Sequence, residues 1–190
     1  MTPKILAFAG SLRTDSFNKK LIRIGVDGAR AAGAEVTQID LRDFPLPIYD
    51  GDFEAAGFPD NVPKLKQLFL DHHGLLISSP EYNRSLPGVL KNAIDWVSRS
   101  APGEKPLAAY AEKVAGLLSA SPGPAGGMRS LMHLREILAH IKVLVIPDQV
   151  SVSKANEAFN PDGTLKDAKQ AASVHGVAKK LAETIAKLRA

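Results

Sequence analysis

Lys4-Ile-Leu-Ala-Phe-Ala9, followed at once by Gly10-Ser-Leu-Arg-Thr-Asp-Ser-Phe-Asn18, is the stretch that decides how this chain is read. Its first six residues are a short apolar run closed by glycine, the pattern of a parallel strand buried on both faces. The next residues are polar, and a helix pattern opens at Phe17 and runs to about Ala32. Leu21, Gly25, Gly28 and Ala32 fall near one face, where the glycines would let the helix approach a sheet, and Gly33 is its stop signal. A strand that turns into a helix through a polar loop presents unpaired N–H groups and a partial positive charge, which attract phosphate. In that turn Ser11 and Ser16 supply hydroxyls, Asn18 an amide and Arg13 a guanidinium fork. The loop lacks the G-x-x-x-x-G-K-[ST] pattern, and Leu12 stands where G-x-G-x-x-G needs its second glycine. A terminal phosphomonoester therefore fits better than ATP or a pyrophosphate. The competing reading is that Ser16 only caps the helix, which leaves Arg13 and Ser11 unexplained.

Outward from this loop, strand and helix patterns alternate. Strands are predicted at Glu35–Asp40, Leu75–Ser79, Val114–Leu118 and within Lys142–Val152, the last interrupted by Pro147. Helices are predicted from an Asp60 N-cap through Val62, Leu65, Leu68 and Phe69, from Gly88 to Ser98, and from a Gly/Pro-rich turn at 121–127 to about His140. The last helix carries Val174, Val177, Ala178, Leu181, Ile185 and Leu188 on one stripe. The segment with Pro45, Pro47, Gly51, Gly57 and Pro59 reads as a loop, and Asn160-Pro-Asp-Gly163 as a turn. Five strands alternating with five helices argue for an open parallel sheet covered on both faces, with right-handed crossovers. No repeat or domain boundary interrupts residues 1–190, which read as one domain. Such sheets bind ligands beyond the carboxyl ends of their strands, where strand order reverses.

Composition narrows the function classes. Hydrophobic residues make up 45% and charged residues 23% of the 190, which argues against a disordered chain. The absence of cysteine excludes disulfides, iron–sulfur clusters and thiolate nucleophiles, and agrees with a cytoplasmic location. Apolar runs such as Val143–Ile146 are too short to span a bilayer, and the N-terminal run too short for a secretory segment. The net charge of +4 could attract nucleic acid, but the basic residues form no block and do not alternate with aromatics, so phosphorylated small anions are the expected partners.

The third strand ends in Ser79-Pro-Glu-Tyr-Asn-Arg-Ser-Leu-Pro-Gly88. Pro80 stops the strand, residues 81–85 are expected to be extended, and Pro87-Gly88 launches the next helix. Such a segment offers backbone N–H groups and a tyrosine ring to a planar heterocycle.

Gly10-Ser-Leu-Arg-x-x-Ser-x-Asn18, Pro80-Glu-Tyr-Asn-x-Ser-x-Pro-Gly88 and Leu90-Lys-Asn-Ala-Ile-Asp-Trp96 together resemble the NADPH-dependent FMN reductase family, and within it the chromate/quinone reductase branch. The resemblance covers nearly the whole chain in matching order. It implies a flavodoxin-like α/β three-layer sandwich with a five-stranded parallel sheet of order 2-1-3-4-5. It implies bound FMN, with NADPH or NADH as co-substrate. By the same transfer, Ser11, Arg13, Ser16, Phe17 and Asn18 surround the FMN phosphate. Pro80, Glu81, Tyr82, Asn83 and Arg84 border the isoalloxazine, and Ser121 and Gly123 close its other edge. The implied activity is ping-pong hydride transfer to small acceptors: quinones, azo compounds, free flavin or metal oxyanions such as chromate. A homodimer or homotetramer is implied as well. Arg84 stands where some relatives carry a tyrosine at a tetramer contact; it could instead meet the partner subunit or the NADPH phosphate.

The cofactors carry the redox chemistry, so no side chain is required as catalytic acid or base. Glu81 is read as structural or as bordering the flavin, and Trp96 as a core or interface residue. His72-His73 and the His133/His140 pair lack the ligand set of a metal site. Two other functions remain open at this level: a flavodoxin-type electron-transfer protein with no nicotinamide site, and a regulatory protein that kept the fold without the cofactor. Reduction of the bound flavin by NADPH alone separates the first of these from a reductase, and a colourless purified protein marks the second.

Overall fold

The computed structural model describes residues 1–190. Its strands are β1 (Lys4–Ala9), β2 (Glu35–Ile39), β3 (Gly74–Ser78), β4 (Val114–Ala120) and β5 (Leu144–Val152). They pair in parallel in the order β2-β1-β3-β4-β5. The helices are α1 (Phe17–Ala31), α2 (Gly51–Ala55), α3 (Asn61–Leu70), α4 (Gly88–Ser98), α5 (Met128–His140), α6 (Ala155–Ala158) and α7 (Ala168–Leu188).

Alternation along the central strands divides the core. Ile5, Ala7 and Ala9 of β1 join Leu76 and Leu118 under α1 and α7, while Leu6 and Phe8 join Leu75, Ile77 and Leu117 under α3, α4 and α5. The result is a flavodoxin-like three-layer sandwich. β1 pairs with β2 on one side and with β3 on the other. The chain therefore leaves β1 and β3 in opposite directions, and a crevice opens at their carboxyl ends.

Several details depart from the sequence expectations. Of the two glycines on α1, Gly25 faces Leu76 and Leu118 of the sheet, but Gly28 lies against α7, where an added Cβ would sit 2.7 Å from His175 Cα. Asp60 has helical dihedrals and makes no side-chain cap to α3; the turn is closed by Val62 N–H donating to the Pro59 carbonyl, 2.8 Å. The segment read as loop holds the short helix α2, capped by Asp50 Oδ1 accepting from Asp52 N at 2.8 Å. In β5, Ala115 and Leu117 of β4 face Val145 and Gln149, so the Pro147 region bulges. Arg135 answers the bulge by donating to the Ile146 carbonyl (2.8 Å) and Gln149 Oε1 (2.9 Å). No helix is long and apolar enough to cross a membrane.

Candidate functional site

The loop after β1 and the start of α1 form one wall of a cavity of about 70 Å³ at the carboxyl edge of the sheet. Ser11, Arg13, Ser16, Phe17 and Asn18 contribute that wall. Pro80, Glu81 and Tyr82 from the segment after β3 stand across from it, and Ser121 closes it from the turn after β4. Residues up to 111 positions apart in sequence, Ser11 and Pro122, thus meet where the sheet topology places a crevice. Asn83, Arg84 and Gly123 do not line this cavity; the first two form a hairpin tip beside it, and Gly123 N–H donates to Ser121 Oγ at 3.3 Å. Ala120 and Pro122 do line it and were not singled out from sequence, because neither carries a polar side chain to signal a site.

The donors fall into two groups. Ser16 is buried at the N-cap of α1, yet its hydroxyl makes no capping bond. The helix start therefore keeps both its own N–H groups and a serine hydroxyl for another partner. Ser11 is also buried and accepts weakly from Arg13 N–H, 3.3 Å, while the Arg13 guanidinium is exposed and makes no ion pair within the chain. Asp15, the acidic residue of the loop, is held by Lys20 at 2.6 Å; the Lys20 hydrogen bond, more than its charge, keeps the carboxyl below its ordinary value.

Asn18 belongs to the second group. Its Oδ1 accepts from Ser78 Oγ (2.9 Å) and Ala120 N–H (3.0 Å), and its Nδ2 donates to the Ala120 carbonyl (2.9 Å). The carboxamide is largely committed to joining α1, β3 and β4, with one N–H left over. Phe17 is likewise anchored, its ring stacked on Phe159 at 5.8 Å.

The segment after β3 is not extended. Tyr82 and Ser85 exchange two backbone hydrogen bonds, 2.9 and 3.0 Å, around Asn83 (φ 50°) and Arg84 (φ 68°). Two consecutive left-handed residues make a tight primed turn, which asparagine accepts more easily than arginine. Tyr82 sits half-exposed at the base of this turn. Glu81 faces α5: its carboxylate accepts from Arg129 N–H (3.1 Å) and Arg129 Nη1 (3.3 Å), capping the helix. Ser79 Oγ meets Ser130 Oγ at 2.8 Å and His133 Nδ1 meets Ser85 Oγ at 3.0 Å, so α5 clamps the hairpin on both sides. Gly127, at φ 87°, precedes α5; a Cβ there would overlap Ser119 Oγ. Trp96 is fully buried, donating to the Pro47 carbonyl at 2.8 Å and packed edge-on to Tyr49. No group of three or more His, Cys, Asp or Glu side chains converges as a metal site would need.

The donor set suits the phosphate of FMN. The cavity offers hydroxyls, helix N–H groups and a guanidinium, and its one carboxylate is turned away onto Arg129. At about 70 Å³ it is far smaller than the roughly 300–1,000 Å³ of a site for a whole ligand, so its scale suits a phosphate group rather than a flavin ring.

A doubly wound sheet with a phosphate-sized cradle at its switch point defines a flavodoxin-like mononucleotide-binding protein. Residues 3–157 match the family described as NADPH-dependent FMN reductase. An NAD(P)H-dependent FMN reductase of Pseudomonas aeruginosa is 38% identical over 167 residues, covering 87% of this chain and 86% of that one. A 2-hydroxy-1,4-benzoquinone reductase of Burkholderia is 36% identical over 162 residues, 83% of this chain and 82% of that one. Among solved structures, the flavoenzyme NAD(P)H:(acceptor) oxidoreductase FerB of Paracoccus denitrificans superposes with a TM-score of 0.83 at 29% identity, covering 98% of both chains. The chain belongs to the NADPH-dependent FMN reductase family. It is an FMN- and NAD(P)H-dependent oxidoreductase.

Proposed function

We propose that this oxidoreductase reduces quinones by ping-pong kinetics, with azo compounds, free flavin and oxyanions such as chromate as further acceptors. The loop Ser11–Asn18 holds the FMN phosphate and the Tyr82 hairpin borders its ring. The carrying observation is Ser16 at the N-terminus of α1, buried, its hydroxyl making no cap, on the wall of a donor-lined cavity that Tyr82 also lines. The quinone reductases among its relatives support the acceptor class.

FMN, held by the Ser11–Asn18 loop, would supply the two-electron redox chemistry that links the nicotinamide to the acceptor. The protein's part is binding and orientation. Arg13, Ser11 and Ser16 hold the phosphate, while Asn18 fixes the loop that carries them. Asn83 and Arg84 contribute backbone at the ring's edge, and Ser121 and Gly123 bound the opposite side. Glu81, committed to Arg129, acts in support and moves no proton. Nicotinamide and acceptor occupy one open face beside Tyr82 in turn. We further assign the chain as one domain that forms a homodimer or homotetramer, working in the cytoplasm, where the reduced nicotinamide pool lies.

Anaerobic mixing tests this reading. NADPH alone should remove the visible absorbance of the bound flavin, and a benzoquinone should then restore it; initial-rate plots should be parallel. Flavin that NADPH leaves untouched without a protein partner would point instead to a flavodoxin-type carrier.

A further inference from the structure

The side-chain contacts that join the segment after β3 to α5 are not equivalent. Ser79 Oγ meets Ser130 Oγ at 2.8 Å, and the Glu81 carboxylate accepts from Arg129 N–H at 3.1 Å. Both hold the arm that leaves the strand. Only the contact of His133 Nδ1 with Ser85 Oγ, at 3.0 Å, reaches the arm that returns. Arg129 and His133 stand at i and i+4, so they share one face of the helix. On its other side α5 is fixed to the core by Leu131, Leu134 and Leu138, all fully buried. His133 therefore braces the hairpin from a rigid element.

Between the two arms lies the tip, Asn83 and Arg84. Both are left-handed, and neither N–H finds an acceptor within the chain. A residue other than glycine adopts that conformation at a cost, and it persists only where the surroundings hold it. A lone two-stranded hairpin is marginal in water, and here the closure is a single pair of backbone bonds between Tyr82 and Ser85. With the returning arm free, the tip can turn and re-aim its two N–H groups. The brace does not depend on the charge of the imidazole. Neutral His133 can accept or donate through Nδ1, and the imidazolium donates, so Ser85 Oγ has a partner in every state.

We propose that His133 is a positioning residue for the redox reaction: through Ser85 it holds the Asn83 and Arg84 N–H groups toward the edge of the flavin ring, where they favour the electron-rich reduced form. The proposal rests on the placement of the flavin beside the Tyr82 hairpin. The test compares His133→Ala, Ser85→Ala, their combination, and His133→Asn, whose amide puts a polar atom where Nδ1 stands. His133 is exposed, so the variants should fold, with melting temperature as the check. In the flavin-free protein, hydrogen exchange at the Tyr82 and Ser85 amides should quicken by about 3- to 10-fold in His133→Ala, the scale of one ordinary hydrogen bond. His133→Asn should restore it. In the FMN-loaded protein the midpoint potential should fall by roughly 15–30 mV, the same factor at about 30 mV per tenfold for a two-electron couple. Flavin reduction by NADPH should slow alongside, with FMN affinity little changed. The double variant should be no slower than either single one, because both remove the same bond. Unchanged exchange in His133→Ala, or additive losses in the double variant, overturns the role of His133 while NADPH still bleaches the flavin. Faster exchange with an unmoved potential overturns it too, and strikes the placement of the hairpin at the flavin edge as well.

Discussion

Asn18 and Ala120, 102 residues apart, exchange hydrogen bonds in both directions: Nδ2 to the Ala120 carbonyl at 2.9 Å and Ala120 N–H to Oδ1 at 3.0 Å. The same Oδ1 accepts from Ser78 Oγ. One side chain in the first turn of α1 thus sets the spacing between the loop after β1 and the ends of β3 and β4. Asn18→Ala leaves three buried polar groups without their partner, at about 1–3 kcal/mol for each that stays unsatisfied. The midpoint of urea denaturation should fall clearly, and FMN affinity with it. An unchanged midpoint would mean that the link is not formed.

Glu81 is placed as the cap of α5 and not as a proton carrier. Glu81→Gln should lower the unfolding free energy by about 0.5–1.5 kcal/mol, the worth of an ordinary hydrogen bond. The shape of the pH–rate profile for flavin reduction should stay as it was. Disappearance of an ionisation from that profile would identify Glu81 as a working acid or base.

The hairpin Tyr82–Ser85 carries a local cost at Arg84, whose φ of 68° suits glycine better than arginine. Arg84→Gly should raise the unfolding free energy by about 0.5–1 kcal/mol, read as a higher melting temperature. A lower one would show that the Arg84 side chain makes contacts that outweigh the strain.

Lys113 lies at the opposite end of the sheet, buried, with Nζ donating to the His72 carbonyl at 2.5 Å. Burial first, and then the charge of Arg189, pull its ammonium down to about 8, against a weaker opposing pull from Asp71. In the unfolded chain it titrates near its ordinary value of about 10.4. Between these values the unfolded state holds a proton that the folded state has released, so stability rises with pH through this window; below pH 8 the penalty is full and constant. Lys113→Met should remove that rise in denaturation measured from pH 7.5 to 10. A rise of equal size in the variant would assign it to another group.

Much of this was legible in the sequence because the signals were local. The apolar run before Gly10, the stripe of the last helix and the Pro80 stop each fix an element by periodicity or a forbidden dihedral. The residue types of the loop Ser11–Asn18 single out Ser11, Arg13, Ser16 and Asn18, which line one cavity in the structure. Other features rest on tertiary partners that no local pattern encodes. Whether Ser16 caps α1 or faces a cavity depends on where its χ1 points, and Asn18's commitment to Ala120 depends on a strand 102 residues away. The turn at Asn83-Arg84 was missed because arginine rarely adopts left-handed dihedrals, and α5 holds it there through Glu81 and Ser85. Asp50 caps α2 in a stretch whose prolines and glycines read as loop.

The most direct test of the central claim compares FMN with riboflavin, which differ only in the phosphate, for binding to the flavin-free protein. FMN should bind at least about 100-fold more tightly, since two or more charge-assisted hydrogen bonds of about 1.5–3 kcal/mol each are at stake. Arg13→Ala and Ser16→Ala should each narrow the gap, with little change in stability, because neither side chain has a strong partner within the chain. Equal affinities for FMN and riboflavin would contradict the assignment of the Ser11–Asn18 loop.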